Sequence, residues 1–295
     1  MRIVIKLGTK LVVSQNNYSI NNKILKELIS ILSNFHANGH NIVLVSSGAV
    51  LLGKNFIKKN QTNNDTCYKQ MLSSLGQIKL IKKFNEFFNQ HNIVISQILL
   101  TKDDFRYYTR YLNIKKIFKL LFDKKIIPIV NQNDIVADLL DNNEIDIGNN
   151  DILAALVSNI IEADLLILLT DQKGFYTSDP RYRKDAKLIS EISTINKSLF
   201  DKAGNSSSGV GSGGMITKLQ AAMISTSSGV KTIIVSGFKL KELSNVINNK
   251  KFIGTAFHPT NTNLTCHQRW IIAAPESGKV IIDDKTSKDI IKKHV

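Results

Sequence analysis

Short runs of β-branched and other apolar residues recur at Ile3 to Ile5, Ile42 to Val45, Ile93 to Ile98, Ile126 to Val130, Leu165 to Leu169 and Thr232 to Val235. Most are continuously apolar rather than alternating, the pattern of strands buried on both faces. Between them, apolar positions return at helical spacing over Ile24 to Phe35, Ile78 to Phe88, Leu112 to Phe122, Ile152 to Glu162 and Ile216 to Ser227. Strand and helix alternate, which predicts an α/β fold with a mainly parallel central sheet covered by helices on both faces. In such sheets ligands bind beyond the carboxyl ends of the strands, where loops lead into helices. The rhythm breaks near Gly254 to Asn263, where Thr, Asn, His and Pro take over. A principal domain over 1–257 and a tail over 258–295, carrying the sole tryptophan Trp270, are therefore expected.

Composition narrows the picture without changing it. A chain of 295 residues, 43% hydrophobic with 4 prolines, can bury a large core. The opening Met1-Arg2-Ile3-Val4-Ile5-Lys6 reads as a strand rather than a secretory signal. Glu162 and Asp164 interrupt the longest apolar candidate before it reaches membrane-spanning length, so a cytoplasmic protein without membrane attachment is expected. Cys67 and Cys266 follow no metal or redox spacing and read as ordinary thiols. The net charge of +15 would suit nucleic acid if focused, but lysine and asparagine are spread throughout, as in "IKKNQTNND". Dispersed charge supports solubility, and nucleic acid is not the expected partner.

The chemistry-bearing residues gather after the strands. Lys6-Leu7-Gly8-Thr9 can bring an ammonium and backbone N–H groups to one anion, although a lysine before a turn is also commonplace. Ser46-Ser47-Gly48-Ala49 can expose N–H groups at a helix start, or supply an ordinary cap. Asn131-Gln132-Asn133-Asp134 and Gly148-Asn149-Asn150-Asp151 are turn formers that together offer amide donors and carboxylate acceptors matched to the charged ends of an amino acid. Thr170-Asp171 at a strand tip can hold lysines in place or serve a turn. In Gly209-Val210-Gly211-Ser212-Gly213-Gly214-Met215-Ile216-Thr217-Lys218, glycines allow close approach to phosphates and Lys218 lies about one turn into a helix. This segment fits neither a dinucleotide fingerprint, which needs a preceding strand and a later acidic residue, nor a Walker A loop, whose lysine spacing differs.

In order and spacing, "VIKLGT", "VSSGAV", "VNQND", "GNNDILAALV", "LLILLTDQKGFYTSDPR" and "GVGSGGMITKLQAA" resemble the blocks of the amino acid kinase family, and within it those of glutamate-phosphorylating members. The resemblance covers about residues 1 to 257. It implies a three-layer sandwich and transfer of a phosphoryl group from ATP, with Mg²⁺, to the side-chain carboxylate of L-glutamate, the first step of proline synthesis. ATP would lie against Lys6, Gly8, Thr170, Asp171, Ser212, Gly213, Gly214, Met215, Ile216, Thr217 and Lys218. Glutamate would lie against Ser47, Gly48, Asp134, Asn150 and Asp151. Lys6 and Lys218 would offset transition-state charge, with Asp171 orienting them. A substrate carboxylate, with a reference pKa of about 4.3, is ionised near neutrality and needs no general base.

The resemblance further implies a homo-oligomer and a glutamyl phosphate reductase as the consumer of a labile acyl phosphate. Family members usually carry acidic residues where this chain has Gln132 and Asn149, and a longer connection, "IVADLLDNNEID", separates the two clusters. The tail, including "RWIIAAPESGKV", resembles the beginning of a PUA domain, too short for a core of its own. Other carboxylate or carbamate kinases of the same family are the alternative, and a basic RNA-binding or regulatory protein a more distant one.

Overall fold

The computed structural model describes residues 1–14, 16–57, 66–137, 149–204, 214–260, 263–275, 281–283 and 286–287. The first half runs β1 (Arg2–Leu7), α1 (Thr9–Val12), α2 (Asn22–Ala37), β2 (Asn41–Val45), α3 (Ala49–Gly53), α4 (Thr66–Asn89), β3 (Ile95–Leu100), α5 (Asp103–Arg106), α6 (Tyr108–Asp123) and β4 (Ile127–Gln132). The second runs α7 (Asn150–Ile160), β5 (Leu165–Thr170), β6 (Glu191–Ile192), α8 (Lys197–Gly204), α9 (Met215–Ser227), β7 (Lys231–Ser236), α10 (Leu240–Ile247), β8 (Gly254–Phe257) and α11 (Cys266–Ala273). Among the described residues the sheet has eight strands, ordered β3-β4-β2-β1-β5-β7-β8-β6. From β3 to β7 every pairing is parallel; β8 runs antiparallel to β7, with β6 parallel to β8 at the edge.

Residue parity along the central strands decides which side chains meet which helices. Ile3, Ile5 and Leu7 of β1 enter one core layer with Leu165, Ile167 and Leu169 of β5, against α2, α4 and α10. Val4 enters the opposite layer with Leu166 and Leu168, against α6, α7 and α9. Lys6 shares the parity of Val4. Its side chain therefore leaves the end of β1 on the side where α7 and α9 begin. Helix α7 is buried from Asp151 to Ile160, with only its first residue, Asn150, partly exposed, as a helix packed on nearly every side must be.

Helix α4 starts twelve residues before the span read from apolar spacing, because its first half packs through small residues. A Cβ on Gly76 would fall 1.8 Å from the backbone oxygen of Ala49, and one on Gly53 would fall 1.9 Å from that of Leu72. Glycine at both positions lets α3 and α4 touch backbone to backbone.

The tail helix α11 is docked on the body. Trp270 Nε1 donates to the Phe105 backbone oxygen at 3.1 Å, and Arg269 donates to that of Ser228 at 2.6 Å. Asn159 of α7 donates to Ser228 Oγ at 2.6 Å and to the Arg269 backbone oxygen at 3.0 Å, while Tyr111 donates to Asn159 at 2.9 Å. No described helix is long and apolar enough to cross a membrane.

Candidate functional site

The first turn of α7 brings the two halves of the site together. Asn149 caps this helix, its side-chain oxygen accepting from the Asp151 backbone N–H at 2.9 Å. An asparagine cap satisfies an otherwise orphaned donor and fixes where the next residues point. Asp151 is fully buried, and its carboxylate stands between two ammonium groups. Lys6 Nζ lies 2.6 Å from Oδ1 and Lys218 Nζ lies 3.0 Å from Oδ2. Thr217, one residue before Lys218, donates to Oδ2 at 3.3 Å and to the Gly214 backbone oxygen at 2.8 Å.

Burial alone would push the Asp151 carboxyl up, but the Lys6 and Lys218 ammoniums override it and hold the group far below the usual carboxylate range. Burial pushes the Lys6 ammonium below the usual lysine range; Asp151 opposes this and Lys218 reinforces it. One aspartate thus holds together two lysines that would otherwise repel each other in a low-dielectric setting. Both lysines are about 5% exposed, at 5% and 6%.

Asp171 makes its direct ion pair with a different lysine, Lys10, while its charge still favours the Lys6 ammonium. Its carboxylate accepts from Lys10 at 2.7 Å and from Thr170 Oγ1 at 3.1 Å, at a half-exposed position. Burial raises its pKa, yet the bond from Lys10 leaves it below the ordinary value. The direct carboxylate contact to both Lys6 and Lys218 is made by Asp151, which the resemblance groups with the amino-acid residues. Lys10 was not singled out at all; its place four residues after Lys6, on the short helix following β1, was the available signal. Gly8 lies beside this corner, its backbone N–H donating to Leu169 at 3.1 Å.

The groups hydrogen-bonded to Asn150, the residue before Asp151, are neutral. Asn150 Nδ2 donates to Ser47 Oγ at 3.0 Å and to Asn131 Oδ1 at 3.1 Å. Asn131 Oδ1 also accepts the Gln132 backbone N–H at 2.9 Å, and Asn131 Nδ2 donates to Gln77 Oε1 of α4 at 2.7 Å. Ser47 precedes Gly48, whose φ of 102° lies in the left-handed region that glycine tolerates and which opens α3. Ser73 of α4 donates to Asp134, and burial pushes the Asp134 carboxyl up despite that bond.

The structure therefore joins Lys6, Asp151, Thr217 and Lys218 in one group, and Ser47, Asn131 and Asn150 in an adjoining one. Gly214, Met215 and Ile216 open α9 immediately before Thr217. Ser212 and Gly213, with 205–211 and the connection over 138–148, lie outside the described residues. Gln77 was missed because nothing in its local sequence distinguishes it from other polar positions on a helix.

Residues 1–236 match the amino acid kinase family. The chain belongs to the amino acid kinase family. It is 40% identical over 288 residues to a protein named glutamate 5-kinase from Proteus mirabilis (strain HI4320), covering 98% of this chain and 77% of that one. A glutamate 5-kinase from Sodalis glossinidius (strain morsitans) is 38% identical over 291 residues, covering 99% and 78%. Among solved structures, a UMP kinase from Bacillus anthracis superposes with a TM-score of 0.59 at 14% identity, covering 88% of this chain and 96% of that one. An isopentenyl phosphate kinase gives the same TM-score and identity over 87% of this chain and all of its own. At such identity these two structures speak for the fold: this amino acid kinase has the α/β sandwich of its family, and the chain is a kinase.

Proposed function

We propose that this kinase transfers the γ-phosphoryl group of ATP to the side-chain carboxylate of L-glutamate, giving ADP and L-glutamyl 5-phosphate. The observation that carries the reaction type is the convergence of two buried ammoniums on one buried aspartate at the strand-end face of the sheet. A carboxylate acceptor is already ionised near neutrality, so the task is to bring two anions together and to offset charge on the phosphoryl group in flight. A substrate carboxylate oxygen attacks the γ-phosphorus, the bond to the β,γ-bridging oxygen breaks, and ADP carries away the electron pair. No proton is moved. Lys6 and Lys218 stabilise the phosphoryl oxygens, Asp151 keeps both lysines aimed, and the N–H groups opening α9 at Met215, Ile216 and Thr217 face the phosphates.

Glutamate as the acceptor is supported by the named relatives and by the amide cluster at Ser47, Asn131 and Asn150, with Asp134 beside it. ATP is expected to arrive as its magnesium complex. Both oxygens of Asp151 face ammoniums, and among the described residues no group of three His, Cys, Asp or Glu side chains could hold a metal. The phosphates are the natural ligands of the ion. The acyl phosphate product requires a consumer that acts before water does, which fits a reductase as the next enzyme.

ADP release measured across glutamate, aspartate, N-acetylglutamate and carbamate, with hydroxylamine present, tests this reading. Glutamate-dependent ADP release with stoichiometric hydroxamate supports it. Preference for another acceptor, or ADP without hydroxamate, overturns it.

A further inference from the structure

Amide groups are ambiguous in their orientation, since oxygen and nitrogen occupy interchangeable positions. Here a backbone group removes the ambiguity. The Gln132 N–H can only donate, so the Asn131 atom 2.9 Å away must be the oxygen. The other end of that amide is then an NH₂ group, directed at Gln77, which must present an oxygen at 2.7 Å. The same Asn131 oxygen faces Asn150 at 3.1 Å, so Asn150 must turn its NH₂ group inward, where it also reaches Ser47. Asn150 is left with its oxygen directed away from both partners. That oxygen is buried and, among the described residues, has no hydrogen-bond partner.

A buried acceptor without a donor costs free energy unless a ligand completes it. Of the groups on the proposed acceptor, the α-ammonium alone is a donor; the two carboxylates are acceptors and would be repelled. We propose that Gln77, which lies outside the reacting groups, is the positioning residue that holds the Asn131 amide in the polarity set by the Gln132 N–H, so that Asn150 offers an oxygen to the α-ammonium of the amino acid. The inference rests on the proposed function. It adds a residue on α4 that sets acceptor selectivity from behind the site. The close crossing of α3 and α4 at Gly53 and Gly76 holds Gln77 in reach, because residue 77 directly follows the glycine seated against Ala49.

Removing the Gln77 acceptor leaves the Asn131 NH₂ group unpaired at a position only 3% exposed, where water is a poor substitute. The amide then loses one of its two anchors, and the polarity handed to Asn150 loosens. The test compares Gln77→Met, which keeps length but has no acceptor, with Gln77→Glu, which keeps an acceptor. Each is assayed with glutamate, and glutarate, which lacks the α-ammonium, is measured as a ligand by calorimetry alongside it.

For Gln77→Met, a rise of roughly tenfold in the glutamate KM and Kd is expected, with a far smaller change in kcat, in the ATP KM and in glutarate affinity. Gln77→Glu is expected to restore glutamate affinity to within about threefold of the wild type. Equal weakening toward glutamate and glutarate would show general loosening and overturn the polarity assignment, as would an unchanged KM in Gln77→Met or failure of Gln77→Glu to rescue. A wild-type chain that neither binds nor phosphorylates glutamate would instead overturn the proposed function, and this inference with it.

Discussion

Two neighbouring residues at the start of α7 sit in opposite kinds of surroundings. Asp151 is clamped between the ammoniums of Lys6 and Lys218, and its carboxyl is held far below the usual range. The hydrogen-bond partners of Asn150 among the described residues are neutral, the hydroxyl of Ser47 and the amide of Asn131, and the Asp134 carboxyl, which accepts from Ser73, is pushed up by burial. On the proposed function, charge is concentrated where charge changes during phosphoryl transfer. On that proposal, amides and hydroxyls line the side that orients the amino acid's α-ammonium and α-carboxylate, which keep their charge. A fixed ion cluster offers strong, undirected attraction, whereas a hydrogen-bonded amide chain offers direction at little electrostatic cost.

The largest effect is expected at the charged region. Asp151→Ala leaves two buried ammoniums facing each other, and losing one partner of a buried ion cluster typically costs about 3–5 kcal/mol. Urea unfolding should show that loss, accompanied by turnover near background. Asn150→Ala removes only neutral hydrogen bonds and should cost about 1 kcal/mol. Equal losses in the two variants would erase the distinction between the regions.

Lys218→Ala is expected next. Its ammonium is proposed to interact most strongly with developing charge, so kcat should fall roughly a hundredfold, near 3 kcal/mol, while the glutamate KM stays within a few-fold. Steady-state kinetics with both substrates varied would decide it; a normal kcat would remove Lys218 from the chemistry.

How much of this contrast could be read from the chain alone depends on how local its causes are. The strands were visible because both faces of the sheet are buried, which makes β1, β2, β4 and β5 continuous apolar runs, and the motifs stood out because they follow those runs directly. The reversal of β8 was not visible, since Gly254–Phe257 is four residues long and is defined by its pairing with β7. The ion cluster draws residues 6, 151 and 218 from three separate elements, so no spacing rule could assign Asp151 to the lysines. Asp171 directly follows β5, which pairs with β1, but parity turns Lys6 toward α7, so the direct ion pair of Asp171 is with Lys10. The early half of α4 was missed for a related reason: contact through Ser73 and Gly76 has no hydrophobic period. The tail helix α11 contributes no core of its own, yet Trp270 and Arg269 bind it to the body by bonds that cross more than forty positions of sequence.

The carboxyls of the two regions should also answer pH in opposite senses. For Asp151 the folded pKa lies below the unfolded one, so its stabilisation is complete above the unfolded value of about 3.9 and is lost as pH falls below it. For Asp134 the folded pKa lies above the unfolded one, so the native state binds more protons and stability falls as pH rises from about 4 through the raised value. Asp134→Asn should therefore flatten a decline in unfolding free energy on the alkaline side of pH 4 while leaving the acid limb in place. Unfolding curves at closely spaced pH values would show this. A variant that changes the acid limb instead would mean that the two carboxyls have been assigned the wrong way round.

Asn149 caps the helix start shared by the two regions, and its substitutions should produce effects no larger than those at Asn150. Its oxygen caps the helix that carries both Asn150 and Asp151, so Asn149→Ala should cost about 1 kcal/mol, the typical value of a lost N-cap. Asn149→Asp keeps the accepting oxygen and adds negative charge at a helix N-terminus, which the macrodipole favours, so the cap should survive. The added charge should then report which region it reaches. Facing the amide side, it would attract the α-ammonium of glutamate; a charge-assisted bond exceeds a neutral one by about 1 kcal/mol, a several-fold fall in the glutamate KM with the ATP KM unmoved. Facing the lysines, it would compete with phosphate for Lys6 and Lys218 and raise the ATP KM instead. The amide-side outcome is expected, because the Asp151 carboxylate already occupies both ammoniums and the cap aims the side chain of residue 149 back along its own helix start. A selective rise in the ATP KM would show that the charged region extends past Asp151 to the cap itself.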